Sequence, residues 1–483
     1  MRYSNLKIKP VGLSAVIAAM LLVWNCSIDE RFSIDSGCSL SFSADTIRLD
    51  TVFTGVSSAS QCFMVYNRNS SGIRLDAVLA GGLDSPFRIN VDGQGGSSIT
   101  DLEIPGGDSL FCFVSVNIPE SGVTGIFKAF DSIRFVLENG NVQFVRLSAY
   151  GQNAEKLKGK RIDRDTLLTA RLPYLIYDSL YVAQGATLTL APGTRLYFHS
   201  KAVLDVAGRI VAQGNADSVI IMRGDRLDVM QTEPPIAYDL VAAQWGGIRI
   251  RSGSYSNMFS YCDIHSAEFG ISADSASPDK TKFCLYSSMI HNMDLNCIES
   301  TGCRIEVANS LIANAGLSCV DIAGGVSEFN FCTIAGFSLW SLGTQAVLVS
   351  DKRDGADVPF AGTSFTNCII TGRHSDELVL SLSDTVKGKA RYYIGNSLVM
   401  STDTLNSNFK EVVFDSHERE SGGAGNFKGR GREGLRSVYL LDSLSLARGI
   451  ADSLSVIWPV DLEGVPRPPR GADAGCYQYV KDR

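Results

Sequence analysis

The sequence predicts an all-β protein in which a small sandwich is followed by a long solenoid of parallel strands. Three observations support this. The 483 residues contain 46 Gly but only 14 Pro, which is typical of many short strands joined by glycine turns. Between about residues 41 and 152, apolar and polar residues alternate in several runs, and two of these runs flank a strong signal for a hairpin turn at Asn139-Gly140. Beyond residue 260, a pattern of a small residue, any residue and a branched aliphatic residue recurs.

Composition narrows the range of functions. A chain of this length holds two to four domains, and an apolar fraction of 45% is enough for a sizeable core. The net charge of −7 argues against a basic nucleic-acid-binding surface. The sequence has no phosphate-binding glycine loop, nucleophile elbow or zinc signature. We therefore predict no nucleic-acid partner, no resident metal and no cofactor.

The first 30 residues have the pattern of an export signal. Residues 1–25 carry three cations and no acidic residue, and an apolar run at 11–24 is too short to span a bilayer comfortably. Cys26 follows directly, so the segment resembles a bacterial lipoprotein signal, in which the cysteine becomes the acylated first residue. Residues 27–30, Ser-Ile-Asp-Glu, resemble the acidic export signal of surface lipoproteins in Bacteroidetes.

The resemblance implies a signal peptide at 1–25, a tether at 26–40 and lipid attachment at Cys26. It implies a membrane partner through that anchor, and a location at the outer membrane or cell surface. The alternative is an ordinary cleaved signal followed by an unmodified cysteine.

Residues 41–152 predict an immunoglobulin-like (Ig-like) β-sandwich. Alternation is clear at 87–91 and 111–116, and two alternating runs flank Asn139-Gly140, the favoured pair for a tight hairpin turn. Strands about every ten residues over this length fit such a sandwich. The stretch 63–91 resembles the Ig-like modules that precede larger domains in Bacteroidetes surface lipoproteins. A charged stretch at 155–161 marks the predicted boundary.

A repeat predicts the solenoid at residues 165–480. The branched aliphatic residue of the pattern recurs at spacings of 26, 22, 22, 36 and 29 residues. One coil of a parallel β-helix needs about that length, and insertions lengthen some coils. The aliphatic positions are Ile264, Ile290, Ile312, Ile334, Ile370 and Val399.

Equivalent positions of such coils stack about 4.8 Å apart. The small residue of each repeat then forms an inward column of Cys262, Ser288, Ser310, Cys332, Cys368 and Ser397. This accounts for many of the 12 cysteines without a disulfide framework, because the sequence has no metal-spaced Cys-x-x-Cys pair.

The same region resembles the right-handed parallel β-helix, or pectin-lyase-like, superfamily. Residues 186–214 and 244–250 are similar to the opening of many exported β-helix proteins. Residues 461–477 resemble the terminal segment of Bacteroidetes β-helix lipoproteins, which implies a C-terminal capping segment. These motifs indicate the architecture of the protein but give almost no information about any reaction it catalyses.

Two histidines and an aspartate are the first candidates for chemistry. His265 and His291 occupy equivalent repeat positions, so they should stack roughly 5 Å apart, with Asp263 on the same side as His265. The three could form an acid–base or metal-binding nucleus. The alternative is a pair of turn histidines beside stacked Asn292 and Asn314, which hydrogen-bond along the turn.

Arg249 and Arg251 are the second candidates. They alternate on one outward face, as a catalytic base or a clamp for a sugar carboxylate would, or they are solvated outward residues. The resemblance implies that lyases on this fold gather acids for Ca²⁺, so Ca²⁺ is expected only if the protein is a lyase. Residues 165–480 have no adjacent Asp-Asp pair of the kind glycosidases on this fold use. The long charged insertion at 223–239 either overhangs a groove or is an ordinary loop.

One outward column of the predicted solenoid is unusually apolar. It contains Asp263, Met289, Leu311, Thr333, Ile369 and Leu398. An apolar strip on a solvent face implies a cover. Either a loop or the segment 430–480 lies over it, or Met289, Leu311, Ile369 and Leu398 form an exposed strip that binds a partner protein or a glycan.

These observations predict a non-enzymatic cell-envelope lipoprotein whose β-helix presents a rigid face to a glycan or an envelope protein. One alternative is a carbohydrate-active enzyme, either a polysaccharide lyase or a glycoside hydrolase. The other is a structural subunit of an outer-membrane assembly. A cleft between residues 222 and 300 with three or more converging acidic, Arg or His groups would favour the enzyme.

Overall fold

The computed structural model describes residues 31–387, 391–416, 418–419, 421–430, 437–452 and 457–481. The predicted signal peptide and Cys26 lie outside these residues. The all-β prediction is confirmed, because 51% of the residues lie in strands and only 3% in helices. It divides into two compact units, one of residues up to 120 together with 127–151, the other of 121–126 together with 152 onward. Within the described ranges, no helix has both the length and the hydropathy that crossing a bilayer requires.

The first unit consists of two five-stranded sheets. The strands of one sheet are Leu40–Phe42, Gln61–Asn67, Ser109–Val116, Phe87–Val91 and Gln94–Gly96 in spatial order. The strands of the other are Thr46–Phe53, Val142–Gln152, Ile126–Leu137, Ile73–Leu79 and Ser98–Ile104. A 3-10 turn covers Gly82–Asp84. Alternate residues of both sheets point into one apolar core, which includes Phe87, Val114 and Phe135.

Two local features of this unit follow from its sequence. The predicted hairpin turn is present between Ile126–Leu137 and Val142–Gln152. Gly140 adopts φ +86° there, a conformation that favours glycine. The predicted tether is shorter than expected, because Phe32 forms a backbone bridge with Gly72 and a strand begins at Leu40.

The second unit contains an 18-stranded and a 10-stranded parallel sheet. The strands of the larger sheet pair along two lines, which with the smaller sheet make three ladders that the chain visits in turn. The first ladder comprises Val203–Val206, Gly247–Ile250, Ile271–Ala273, Ile298–Thr301, Val320–Ala323, Val347–Ser350 and Leu378–Ser381. The second comprises Thr166–Leu168, Thr187–Leu190, Arg209–Gln213, Asn257–Ser260, Thr281–Tyr286, Arg304–Ala308, Gly325–Asn330, Phe360–Thr366, Tyr392–Gly395 and Phe409–Lys410. The third comprises Arg195–Phe198, Ile220–Gly224, Cys262–His265, Met289–Met293, Leu311–Ala315, Thr333–Gly336, Ile369–Gly372, Leu398–Met400 and Val413–Asp415.

Shorter elements complete this unit. Two further strands, Glu155–Ile162 and Tyr174–Val182, pair in parallel at its start. Two hairpins are inserted into coils, Val229–Met230 with Ile236–Ala237 and Lys352–Arg353 with Ala356–Asp357. A third hairpin pairs Phe427–Arg430 with Ser437–Leu441. The short helix is Asp384–Lys387, and 3-10 turns cover Tyr238–Leu240 and Gly422–Asn426.

The registers of the third ladder reproduce the repeat in the sequence. Its aliphatic positions pair in one continuous line of Ile264, Ile290, Ile312, Ile334, Ile370 and Val399. All six are fully buried, as expected where parallel strands cover one another. This parallel-sheet arrangement fits a β-helix in general.

The column of small residues is also buried and is held by hydrogen bonds between coils. The backbone N–H of Cys262 donates to Ser288 Oγ at 3.0 Å, and that of Ser288 donates to Ser310 Oγ at 3.1 Å. All eleven cysteines that lie in the described ranges are free thiols.

The charged stretch at 155–161, predicted to mark the boundary, lies just after the division at 151/152 but forms a strand rather than a linker. Glu155–Ile162 pairs in parallel with Tyr174–Val182, so the parallel sheet begins ten residues before the predicted start. It is the terminal strand of its sheet, and its lysines are exposed. Charged side chains on an edge strand oppose pairing with other chains, which explains why a strand can look like a linker.

The apolar outward column is covered by the chain itself. Leu311, Ile369 and Leu398 are buried against a cluster that includes Phe427, Tyr439, Leu462, Ala474 and Cys476, and Met289 packs against its edge. The backbone N–H of Cys476 donates to Thr333 Oγ at 3.1 Å, and that of Gly475 donates to Asn367 O at 2.8 Å. The column is therefore an internal interface with the C-terminal segment, and an exposed strip of Met289, Leu311, Ile369 and Leu398 is not present.

Candidate functional site

A cleft of about 310 Å³ lies where the third ladder meets the C-terminal segment. One wall comes from the strands Cys262–His265, Met289–Met293 and Leu311–Ala315, and the opposite wall from residues near 240, 339, 440, 463 and 477. The lining residues are Asp239, Leu240, Asp263, His265, Met289, His291, Asn292, Leu311, Asn314, Leu339, Val438, Tyr439, Leu440, Glu463 and Tyr477. The cleft is therefore part polar and part apolar.

Strand geometry brings Asp263, His265 and His291 together. Asp263 and His265 are two residues apart on one strand, so both project to the same side. The parallel register places His291 beside His265 on the next coil. The two imidazole rings stack with their centroids 4.9 Å apart and their planes 13° apart. Oδ1 of Asp263 lies 2.9 Å from Nδ1 of His265 and 3.0 Å from Nε2 of His291.

The electrostatics of this cluster favour an ionised carboxylate beside a neutral imidazole. Burial opposes ionisation of Asp263, but the two imidazoles outweigh it and hold the pKa of the carboxyl well below its usual range. Burial lowers the pKa of His265, although Asp263 acts against that shift. A neutral His265 that donates its Nδ1–H to Asp263 leaves an unprotonated Nε2.

Nε2 of His265 is buried and finds no hydrogen-bond partner among the described residues. The histidine side chain is only 6% exposed. Its position is fixed from behind, because Trp245 Nε1 donates to the His265 carbonyl at 2.9 Å. A buried imidazole nitrogen without a partner normally costs stability, so it marks a place where a further group would be accommodated.

Asn292 and Asn314 form the hydrogen-bonded turn that the alternative interpretation expected. Asn314 Nδ2 donates to Asn292 Oδ1 at 3.1 Å, and Tyr439 Oη donates to Asn314 Oδ1 at 2.5 Å. Both asparagines have positive φ, at 57° and 59°, which asparagine tolerates better than most residues. The histidines therefore lie next to an asparagine ladder that fixes the turn.

The charged insertion reaches the same cleft. Its backbone at Asp239 accepts hydrogen bonds from Ser266 Oγ at 2.8 Å and from Asn292 Nδ2 at 3.2 Å. Residues 239 and 240 thus form part of the cleft rim.

Arg249 and Arg251 are not part of the cleft. Arg251 makes a two-pronged ion pair with Asp205, with both nitrogen–oxygen distances at 2.7 Å. The Arg249 guanidinium lies over the ring of Phe269, 5.7 Å from its centre. Of the five residues proposed from the sequence for chemistry, the structure brings three together and places these two elsewhere.

Sequence reasoning missed the residues of the opposite wall, including Tyr439, Glu463 and Tyr477. They come from a segment outside the repeat, so no periodicity assigns them a position. The signal for them was the apolar outward column, for which residues 430–480 were one of the predicted covers, but that prediction did not single out individual residues of the segment.

Comparisons with known proteins give little further information. No protein-family model matches the sequence, and no curated protein matches it. One similar solved structure is a family 123 glycoside hydrolase from Clostridium perfringens, at 12% identity and a TM-score of 0.20 over 27% of this chain. The match spans 30% of that hydrolase. Another is the PapD-like domain 7 of human CEP192, at 12% identity and a TM-score of 0.17, over 24% of this chain and 84% of that one. Similarity at these TM-scores supports no argument about function.

Proposed function

We propose that this protein is a cell-envelope lipoprotein that binds a glycan in the cleft between the third ladder and the C-terminal segment. The observation that carries the proposal is the mixed lining of that cleft. Asp263, His291 and Asn292 offer hydrogen-bond donors and acceptors, while Met289 and Tyr477 offer apolar surface. A sugar ring needs both, because its hydroxyl groups are polar and its C–H faces are not.

The size of the cleft agrees with this ligand class. Small-molecule sites start at about 300 Å³ and are concave and largely pre-formed. At about 310 Å³ the cleft is at the small end of that range, which suits a short stretch of a glycan rather than a protein surface. The rigid coil holds the lining strands in place, which limits the entropy lost on binding.

The finer architecture is part of the proposal. We assign the second unit to the right-handed parallel β-helices of pectin-lyase-like type, supported by coils as short as 22 residues and three parallel ladders. We assign the first unit to Ig-like sandwiches, supported by its two five-stranded sheets.

The lipid anchor and location rest on the sequence of residues 1–30. Incorporation of a radiolabelled fatty acid into the full chain, and its loss in Cys26→Ala, tests the anchor. Protease accessibility on intact cells tests the surface location. A chain that takes up no fatty acid would overturn the lipoprotein assignment but not the glycan site.

A second candidate function is a carbohydrate-active enzyme, which the three converging groups of the cleft favour. Asp263 orients the imidazole of His265 through Nδ1, and the other ring nitrogen, Nε2, can accept a proton, as a general base must. The stacked His291 is more accessible, with 22% of its side chain exposed. A lyase would release an unsaturated uronate from an anionic polysaccharide, and a hydrolase would release new reducing ends.

A glycan array probed with the purified full chain tests the binding function. We expect at least one glycan to bind, with affinity at least tenfold weaker in His291→Gln. The matched control is His199→Gln, which removes a histidine that also pairs with an aspartate, Asp225 at 2.7 Å, outside the cleft. No binding to any glycan, or equal binding by both variants, would overturn the proposal. Incubation of the bound glycan with the protein then separates binding alone from lyase or hydrolase activity.

A further inference from the structure

The cluster at the base of the cleft has the composition of a metal site. Among the described residues, Asp263, His265 and His291 are the group whose side-chain donor atoms all lie within 4.8 Å of one another. Two imidazole nitrogens and one carboxylate oxygen are ligands that first-row transition metals accept readily. No short metal-binding motif contains these residues, because the two histidines are 26 residues apart in the sequence, and it was their equivalent repeat positions that indicated the cluster.

We propose that Asp263, His265 and His291 bind one divalent transition-metal ion, for which Zn²⁺ is the experimental probe. This inference extends the proposed glycan site with a cation, but it rests on the ligand geometry and needs no glycan.

The ligand separations fit a single ion. Zinc–nitrogen and zinc–oxygen bonds are about 2.0–2.2 Å and zinc sites are tetrahedral, so two ligand atoms on one ion lie about 3.3–3.6 Å apart, a few tenths of an ångström more than the separations found here. The carboxylate oxygen is 2.9 and 3.0 Å from the two ring nitrogens. These distances are also hydrogen-bond distances, so an ion would replace the two N–H···O contacts, and each neutral imidazole would then carry its single proton on the ring nitrogen that does not bind the ion.

One adjustment is needed. An imidazole binds a metal in the plane of its ring, and the two rings are stacked almost parallel. At least one ring must therefore tilt about its Cβ–Cγ bond to direct its lone pair at a shared ion. His291 can make this movement because it lines the open cleft and is 22% exposed. His265 is held by its surroundings and acts as the fixed ligand.

A second observation also indicates a bound group. The His265 side chain is 94% buried, which follows from its 6% exposure, and its Nε2 has no partner among the described residues. The ring lines the cleft and its Nδ1 already lies 2.9 Å from the Asp263 carboxylate, so His265 can serve as a ligand without leaving its buried position. A histidine placed only for packing would be expected to satisfy both ring nitrogens.

The ligand set selects the class of ion. Ca²⁺ and Mg²⁺ prefer sites built of oxygen atoms, whereas two imidazoles favour ions such as Zn²⁺. Three protein ligands leave at least one coordination position open, as in catalytic zinc sites. That position faces the cleft, where a water molecule or a glycan hydroxyl can occupy it.

Calorimetric titration of the metal-stripped full chain with ZnCl₂, together with metal analysis after dialysis, tests the inference. We expect one equivalent of Zn²⁺ to bind and Ca²⁺ not to bind. His291→Gln is the principal variant, because it lies at the cleft and should fold normally. It should weaken Zn²⁺ binding at least tenfold, whereas the control His199→Gln should leave it unchanged. Asp263→Asn, checked for folding by circular dichroism, should also weaken it.

Three results would overturn the inference. They are a folded wild-type chain that binds no Zn²⁺, a His291→Gln variant that binds as tightly as wild type, and a loss of Zn²⁺ in His199→Gln. A chain that binds Zn²⁺ but no glycan would refute the proposed function and still support the metal site. Glycan binding by a chain that takes up no Zn²⁺ would remove only the metal site.

Discussion

Replacement of Gly475 by alanine should loosen the C-terminal segment from the third ladder. Gly475 has φ +88°, and a Cβ there would lie 2.6 Å from Thr333 Oγ and 2.7 Å from Ile369 Cδ1. Both neighbours are almost completely buried, so neither can move away freely. The added methyl group therefore meets backbone strain and steric overlap together.

The magnitude can be worked out from these two effects. A side chain in the left-handed region costs about 1–2 kcal/mol, and overpacking in a core costs about 1–3 kcal/mol. Gly475→Ala should thus destabilise the chain by roughly 2–5 kcal/mol. Gly464→Ala is the matched control, because Gly464 lies in the same segment at φ +84° with no atom within 4 Å of its added Cβ. Gly464→Ala should therefore show only the free-energy cost of placing a side chain in the left-handed backbone region, without the steric overlap.

Urea unfolding followed by circular dichroism, together with limited proteolysis of the native protein, measures the difference. We expect Gly475→Ala to unfold at lower urea than Gly464→Ala and to be cleaved faster within residues 457–481. Equal unfolding midpoints and equal cleavage rates for the two variants would refute the docking of this segment on Thr333 and Ile369.

Three further predictions concern stability. Tyr439→Phe should cost about 1–3 kcal/mol in urea unfolding, because it leaves the buried Asn314 carbonyl without its hydroxyl donor; an unchanged midpoint would contradict that contact. Ile334→Ala should cost about 2–5 kcal/mol, because Ile334 is fully buried between two other coils; a cost below about 1 kcal/mol would contradict the inward stacking. Although burial acts in the opposite direction, hydrogen bonds from Thr402 lower the pKa of Asp376. Its contribution to stability should therefore be present above its ordinary pKa of about 3.8 and be lost as the pH falls further. The unfolding midpoints of wild type and Asp376→Ala, measured from pH 7 to pH 2, should converge at the acid end, and a constant difference would contradict this.

The sequence predicted the repetitive part of the structure well because the repeat is a physical consequence of stacking. Each coil presents the same environment at the same position, so Ile264, Ile290 and Ile312 had to be alike, and their spacing could be read directly. Because His265 and His291 occupy equivalent positions of the repeat, the sequence also predicted that they lie side by side on neighbouring coils, as they do. Asp263 followed from the two-residue period of a strand.

The parts outside the repeat could not be placed in this way. The strand Glu155–Ile162 has the composition of a linker because an edge strand needs charges. The C-terminal segment has no periodicity, so the sequence named residues 430–480 as one candidate cover for the column of Leu311 and Ile369 but could not give the contacts of its residues. The sequence placed Arg251 on an outward strand face, which made it a candidate for chemistry. Its ion-pair partner Asp205 is 46 residues away on the preceding coil, so the sequence could not show that Arg251 is already paired.

A crystal structure of the full chain with a glycan identified on the array would show whether the cleft is the binding site. We expect a sugar in the cleft, with a hydroxyl group within hydrogen-bond distance of Asp263 or His291 and a ring face against Met289 or Tyr477. A sugar bound on another face of the coil, with the cleft unchanged, would contradict this expectation.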